Sequence, residues 1–236
     1  MIVLHQPKRA FGLPCPSAFC VKLEAYMRMA EIPYELAEGE PSDAPKGKIP
    51  WITHGDMQMG DSSLIIDYLK AEFGDPLDSA LAATDWALGH AVQKMLEESL
   101  YFVSSYSKWA EDESFAIYAA ELFQGMPDEQ LAYVPDMVRG KVLEKFKAQG
   151  IGRHESHEVY TIGKKDVSSF EALLGDRAYL LGDKPTSFDA SALGVIGNIK
   201  DGPFSNPVQD AIHESVKISQ YIDRMRAEYF SDLAEI

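Results

Sequence analysis

Three side chains that could take part in thiol chemistry lie close together, at Cys15, Ser17 and Cys20 of the stretch LPCPSAFCVKLEAYM. An amphipathic helical pattern begins at Phe19, so these residues flank a predicted helix start. The N–H groups at a helix start are unpaired and the helix dipole favours negative charge there, and both effects stabilise a thiolate. Cys20 belongs to the apolar stripe of this helix, and we expect it to fill the core.

Two further features could bind a peptide-like ligand. Pro50, in GKIPW, precedes a predicted strand, and a cis bond there would turn the N–H and C=O of Ile49 outward to pair with an extended peptide. An ordinary trans proline at a strand start is the alternative. Asp61 and Ser62 open the next predicted helix. Asp61 is a good N-cap without any ligand, but the N–H and hydroxyl of Ser62 could instead receive a carboxylate at the positive helix end.

The charge of the chain argues against nucleic acid or an anionic membrane as partner. The 236 residues carry a formal net charge of −15, which opposes both and has solubility as its simplest meaning. Against this background residues 1–23 contain no acid, and a local positive patch would suit a small anionic ligand. The basic residues of this positive patch would be Lys8, Arg9, Lys46 and Lys48. Two cysteines make no disulfide framework, and without a signal-peptide pattern or a long apolar run we expect a cytoplasmic protein.

The elements that must position these residues begin with a mixture of strands and helices. Residues 2–5 (IVLH) and 32–36 (IPYEL) predict short strands on either side of the first helix. KIPWITHGDMQMG predicts a hairpin that turns at residues 54–56. The next helix begins at the Asp61 cap and ends at Gly74, a residue that helix C-termini prefer.

Helical patterns dominate the rest of the chain. The predicted helices cover residues 80–108, 113–124, 128–149, 155–174, 187–199 and 207–230. With a linker at 74–79, the sequence therefore predicts an α/β domain at residues 1–74 and an all-helical domain at residues 80–236.

These motifs, taken together, resemble a family. The order of the first elements, the KIP before a strand and the DS that opens a helix are similar to the thioredoxin-like domain of glutathione S-transferases. GDKPTSFDASALG is similar to the signature of their helical domain, in which Thr186 caps a helix and Asp189 reaches back as a capping box. Four segments are similar to the metaxin and failed-axon-connections branch: residues 18–35, 45–52, 150–160 and 180–190. The resemblance implies a thioredoxin-like α/β N-terminal domain followed by an all-α C-terminal domain, the glutathione S-transferase fold.

The resemblance also implies glutathione as co-substrate, an electrophilic carbon as its target in a detoxifying reaction, and a homodimer. By the same resemblance the peptide bond before Pro50 would be cis, and Ile49 and Pro50 would pair with the cysteinyl backbone of glutathione. Asp61 and Ser62 would hold its γ-glutamyl end, and Lys48 would help to neutralise a carboxylate.

The residue that acts on sulfur is left open between two candidates. Aligning SAFC with the CxxC of thioredoxin-like folds puts Ser17 at the first position, where the hydroxyl of serine-type transferases donates a hydrogen bond to the glutathione sulfur and favours its thiolate. Cys15, expected in an exposed loop near Lys8 or Arg9, could instead form a mixed disulfide with glutathione. A third hypothesis is a non-catalytic adaptor that keeps the fold and offers its acidic helical surface to a partner.

Two other groups of residues are weaker candidates. His154 and His157 could share a metal on one helix face, but no third ligand has suitable spacing, and we predict no metal site. Arg153 and His154 belong to a motif that recurs in the metaxin and failed-axon-connections branch. They either have a structural role at a helix junction or extend into the site. Tyr101 and Trp109 share one helix face and are either core residues or the wall of an electrophile pocket.

Overall fold

A four-stranded mixed sheet forms the first part of the molecule. The computed structural model describes residues 1–233, and its strands are β1 (Ile2–Gln6), β2 (Tyr34–Glu38), β3 (Trp51–His54) and β4 (Met57–Gly60). Their spatial order is β2-β1-β3-β4, in which β1 is parallel to β2 and the other two pairs are antiparallel. Helix α1 (Ala18–Met29) provides the crossover that the parallel pair requires, and α2 (Ser62–Phe73) follows β4.

The remaining elements are helical. They are α3 (Ala83–Met95), α4 (Tyr101–Trp109), α5 (Asp112–Leu122), α6 (Asp128–Leu131), α7 (Val134–Gln149), α8 (Ser156–Leu174), α9 (Ser187–Asp201), α10 (Pro207–Glu214) and α11 (Val216–Tyr229). A wider π-helical turn, Leu96–Leu100, joins α3 to α4, and short 3₁₀ turns lie at Ile151–Arg153 and Ser231–Leu233. No helix of residues 1–233 is long and apolar enough to cross a bilayer. The expected fold class, an α/β part followed by helices, is confirmed.

Helix α1 lies at the centre of the core. Only Phe19 and Arg28 of its residues are partly exposed, because α2 lies beside it and α9 packs along its length. Gly194 of α9 makes this approach possible: a Cβ atom there would lie 2.4 Å from the carbonyl oxygen of Ala18 and 3.0 Å from the backbone nitrogen of Lys22. The helical part is therefore packed directly against the first turns of α1.

The predicted capping box at the start of α9 is confirmed. The Asp189 carboxylate accepts hydrogen bonds from the Thr186 N–H (2.8 Å) and hydroxyl (2.7 Å). Its other oxygen accepts from the Leu180 N–H (2.8 Å) and the Tyr221 hydroxyl (2.7 Å). Burial raises the pKa of Asp189, and these hydrogen bonds oppose that rise. Every contact of this carboxylate is internal, which fits a role in folding.

Two of the predicted long helices are each broken, so those predictions were wrong. The 128–149 helix is interrupted at Tyr133, because Pro135 lacks an N–H and stands in the first turn of α7, where proline is favoured. The 207–230 helix is interrupted at Ser215, whose hydroxyl oxygen accepts the Ile218 N–H at 3.2 Å and caps α11. That residues 1–74 and 80–236 are separate domains stays a prediction.

Candidate functional site

The predicted site segments lie at one end of the sheet. His5, near the end of β1, pairs with Trp51, the first residue of β3, and Trp51 pairs with Gly60, the last residue of β4. The chain leaves β1 here towards α1, enters β3 here from Pro50, and leaves β4 here into Asp61. Since neighbouring strands are about 4.8 Å apart, the three segments are neighbours in space.

The peptide bond between Ile49 and Pro50 is cis, as the resemblance implied. The β1–β3 ladder begins at Trp51, so the backbone N–H and C=O of Ile49 lie outside it. Lys48 is exposed beside this bond, and the side chain of Lys46 lies along Gly60. This end of the sheet thus combines an unpaired stretch of backbone with two cations, which suits a peptide that carries carboxylates.

Asp61 and Ser62 begin α2 in a strained conformation. Asp61 has φ +87°, a value that residues other than glycine rarely adopt. Its carboxylate accepts the N–H groups of Ser63 (3.1 Å) and Leu64 (3.2 Å) and so caps the helix as expected. The cap leaves the N–H of Ser62 unused at the positive end of a twelve-residue helix. Strain of this kind is often found at ligand-binding positions.

A buried ion pair lies against the first turn of α2. The ammonium of Lys22 lies 2.6 Å from the Glu97 carboxylate and donates to the Ser63 hydroxyl at 2.7 Å. Glu97 lies in the π-helical turn and also accepts from the Ser191 hydroxyl at 2.8 Å. Burial lowers the pKa of Lys22, and Glu97 and then Asp61 oppose that change. The pair ties the start of α2 to both α1 and the helical part, a link that sequence reasoning missed.

Ser17 stands at the N-cap of α1, but its side chain makes no capping hydrogen bond. Its hydroxyl lies beside the Cys20 thiol instead. Burial, and then Cys15, raise the pKa of Cys20 well above its usual range, and the Ser17 hydroxyl acts in the opposite direction. Cys20 itself is fully buried, so its assignment to the core is confirmed. Ser17, in contrast to Cys20, is only half-buried.

The expectation that Cys15 lies in an exposed loop was wrong, since the residue is fully buried. The carboxamide of Asn198 in α9 donates to the Cys15 carbonyl at 3.0 Å and draws the loop against the helical part. Arg9 does not serve the thiol either, because it donates to the Pro14 carbonyl (2.6 Å) and to the buried Glu24 carboxylate (2.9 Å). Lys8 pairs with Glu38 on the surface.

Phe11 of this loop lies against aromatic side chains of the helical part. We call Phe11, Trp109, Tyr118 and Phe204 the aromatic wall. The ring of Phe11 lies 5.4 Å from Phe204 and 6.2 Å from Tyr118, and Trp109 lies 5.2 Å from Tyr118. Phe11 adopts φ +60°, which is a genuine outlier for an aromatic residue.

The sequence identified only Trp109 of this wall, because Phe11, Tyr118 and Phe204 belong to three separate segments. The Phe11-Gly12 pair, in a loop rich in turn residues, was the available signal. Tyr101, which was paired with Trp109 in the sequence, packs instead on Phe19 of α1 at 4.7 Å.

The histidine pair lies at the start of α8. His154 contacts Glu158 at 3.6 Å, and no group of three or more residues placed to hold a metal is found within residues 1–233. Arg153 donates to the Lys147 carbonyl at 2.8 Å, which fixes the turn between α7 and α8. Of the two interpretations of Arg153 and His154, this contact of Arg153 supports the structural role at a helix junction.

Two family models match the chain. A model described as the glutathione S-transferase N-terminal domain matches residues 18–114, and one described as the glutathione S-transferase C-terminal domain matches residues 163–225. Together they cover about two thirds of the chain.

Relatives and solved structures are similar to this chain over nearly all of its length. The isoprene-epoxide–glutathione S-transferase of Rhodococcus sp. (strain AD45) is 29% identical over 97% of this chain and 99% of its own. Failed axon connections of Drosophila melanogaster is 28% identical over all of this chain and 60% of its own length. A glutathione S-transferase structure from Methylobacterium radiotolerans JCM 2831, in complex with glutathione sulfonate, has a TM-score of 0.64 at 17% identity over 98% of this chain and 94% of its own.

Proposed function

Because the chain belongs to the glutathione S-transferase superfamily, in the branch that includes failed axon connections and metaxins, we propose that it is a glutathione transferase that activates the glutathione thiolate for attack on a hydrophobic electrophile. The observation that carries the proposal is that the segments with the Ser17 hydroxyl, the unpaired backbone of Ile49 and the positive end of α2 leave or enter the sheet at the same end.

Each feature matches one part of glutathione. The N–H and C=O of Ile49, beside the cis bond to Pro50, pair with the cysteinyl backbone. Asp61 attracts the γ-glutamyl ammonium, while the N–H and hydroxyl of Ser62 receive its carboxylate at the helix end. The exposed Lys48 neutralises the glycyl carboxylate.

The Ser17 hydroxyl favours the charged form of sulfur. It stands at the N-cap of α1, where it can donate a hydrogen bond to a glutathione thiolate in place of its contact with the Cys20 thiol. Such a bond lowers the pKa of the thiol, and each unit corresponds to about 1.4 kcal/mol. Cys15 fits this task less well, because a fully buried thiol reaches glutathione only after its loop opens.

The aromatic wall supplies the apolar surface that an electrophile needs. Because the relative from Rhodococcus is named for isoprene epoxide, small epoxides are the substrate class that we propose. The thiolate opens the ring in a single substitution that forms a C–S bond and breaks a C–O bond.

A second candidate, a non-catalytic adaptor, is favoured by one observation. Several large apolar side chains are exposed along α5 to α7, in a segment that lies between the ranges of the two family models: Ile117, Leu122, Leu131, Tyr133 and Met137. Exposed apolar groups of this kind mark many protein contacts. An adaptor would keep the fold without binding glutathione, which separates it from the first proposal.

Calorimetric titration of glutathione into the purified protein tests both candidates. The transferase proposal predicts saturable binding, little change of affinity in Ser17→Ala, and loss of conjugation of styrene oxide in the same variant. Ser169→Ala, which removes an exposed serine that bonds only within α8, is the matched control. Conjugation that depends on Cys15 and not on Ser17 would assign the sulfur chemistry to Cys15. A folded protein that binds no glutathione at millimolar concentration would overturn the transferase proposal.

The cytoplasmic location and the homodimer remain predictions. Cell fractionation and sedimentation equilibrium are the measurements that check them.

A further inference from the structure

Lys108 has no acidic partner among residues 1–233, whereas the other lysines that are at least half-buried there each have one. Four lysines of residues 1–233 are buried or half-buried. Lys22 pairs with Glu97, Lys70 with Asp78, and Lys200 with Asp201 and Asp223. The half-buried Lys108 has no carboxylate within 4.0 Å among the described residues.

The surroundings of Lys108 belong to the candidate site. It lies in the last turn of α4, and its Nζ is 5.4 Å from the ring centroid of Phe204 in the aromatic wall. Burial lowers the pKa of Lys108 to about 8, and the nearby Cys15 thiol opposes that change. Cys15 lies two residues before Ser17, so this ammonium lies near the loop that leads to the proposed thiolate position.

The other titratable groups of this cluster do not compete for the same proton. Burial raises the pKa of Tyr118 to about 12, and it raises the pKa of Tyr101 as well. Both phenols therefore keep their protons at neutral pH. Lys108 is positively charged there and still able to release a proton, a combination that suits a general acid.

An unpaired cation among aromatic rings has a cost in stability that an apolar residue would avoid. A feature that breaks a folding rule without a structural gain is most often found at a functional site. The contact with Phe204 offsets part of the cost, since a cation over an aromatic face is attracted to it.

We propose that the Lys108 ammonium is a catalytic residue that protonates the epoxide oxygen as the thiolate opens the ring. This inference rests on the proposed transferase function. The sulfur electron pair forms the C–S bond, the C–O bond breaks, and its electron pair stays on the oxygen. That oxygen takes the proton from Nζ and becomes a hydroxyl. The neutral amine then recovers a proton from solvent, which received one when the glutathione thiol ionised, so the cycle balances.

Two electrophiles separate proton donation from packing. Styrene oxide needs a proton on its leaving oxygen, whereas 1-chloro-2,4-dinitrobenzene loses chloride and needs none. Lys108→Met is expected to lower kcat for styrene oxide about 100-fold and to change kcat for the chloride substrate less than threefold. The KM for glutathione is expected to stay unchanged. Lys145→Met, which removes an exposed lysine of α7, is the control for loss of a positive charge.

The pH profile gives a second readout. With the wild type, opening of styrene oxide is expected to slow above about pH 8 as Lys108 loses its proton, while chloride displacement does not slow there. Lys108→Arg keeps a hydrogen-bond donor that does not ionise in this range, so the alkaline decline should disappear. Cys15→Ala should retain the decline, because it removes only the thiol that faces this amine.

The outcomes are distinct. Equal losses for both electrophiles in Lys108→Met, or an unchanged rate for styrene oxide, would overturn the role of Lys108 and leave the transferase function standing. A wild-type protein that conjugates neither electrophile would overturn the transferase function, and this proposal with it.

Discussion

Replacing Lys22 by methionine is the sharpest test of how the site is held in place. The Lys22 ammonium and the Glu97 carboxylate are 2.6 Å apart, and their side chains are 1% and 5% exposed. At an effective dielectric constant of about 20, their attraction is about 6 kcal/mol. The loss of hydration costs several kcal/mol for each ion and offsets most of it.

The single substitution therefore removes the attraction but leaves the cost of burying Glu97. Removal of one partner of a buried pair typically lowers the free energy of unfolding by about 3–5 kcal/mol. We expect about 3 kcal/mol for Lys22→Met, because the Gln93 carboxamide and the Ser191 hydroxyl still donate to Glu97. The double variant Lys22→Met/Glu97→Gln keeps an acceptor for both donors without the charge, and should recover about 2 kcal/mol of this loss.

Urea denaturation, followed by tryptophan fluorescence and circular dichroism, measures these free energies. Lys94→Met is the matched control, because Lys94 of α3 pairs at 3.6 Å with Glu98 of the same π-helical turn, and both side chains are about half exposed. Its loss should cost less than about 0.5 kcal/mol. The reasoning is refuted if Lys22→Met costs no more than Lys94→Met, or if the double variant is no more stable than the single one.

Three further predictions follow from other contacts. Gly194→Ala should lower the free energy of unfolding by about 3 kcal/mol in urea titrations, because the new methyl group meets the Ala18 carbonyl. Its control is Gly140→Ala on α7, where the methyl group meets no other atom and should raise the free energy of unfolding by about 0.5–1 kcal/mol. Asp61→Gly should relieve backbone strain but remove the helix cap, so the free energy of unfolding should change by less than about 1 kcal/mol. Calorimetric titration should nevertheless show an affinity for glutathione that is at least about tenfold lower. Lys108→Met should be more stable than the wild type at neutral pH by at most about 3 kcal/mol, and equal stabilities at pH 7 would contradict the burial of its charge. Because the pKa of Lys108 rises from about 8 to its ordinary value of 10.5 on unfolding, wild-type stability should increase between these pH values and the advantage of the variant should shrink.

The sequence was informative wherever a local rule determines the structure. The hairpin around Gly55, the cap at Asp61 and the box formed by Thr186 and Asp189 each involve residues within a few positions of one another. Short-range patterns therefore predict them. The cis bond before Pro50 came from the family resemblance, and the alternative of a trans bond could not be rejected from the residues alone.

Long-range contacts account for what was missed. Cys15 looks like a loop thiol in the sequence, but it is buried in the core, where its carbonyl accepts a hydrogen bond from Asn198, 183 positions later. Lys108 looks like a solvent-facing residue of an amphipathic helix. Its neighbour Phe204 is far away in the chain, so no local pattern indicates their contact. The break before α7 is a different case, since Pro135 was a visible signal that should have ended the predicted helix.

The π-helical turn at Leu96–Leu100 makes the number of residues important in this part of the chain. A turn of this kind adds one residue to a helix, and each residue advances an α-helix by about 100°. Removing one residue from the turn would restore regular α-helix and rotate everything downstream by that angle. Lys108 and Trp109 would then leave the side on which they meet Phe204 and Tyr118. A single deletion between α3 and α4 would therefore change which face of α4 meets the site, even if every side-chain contact of Glu97 were kept.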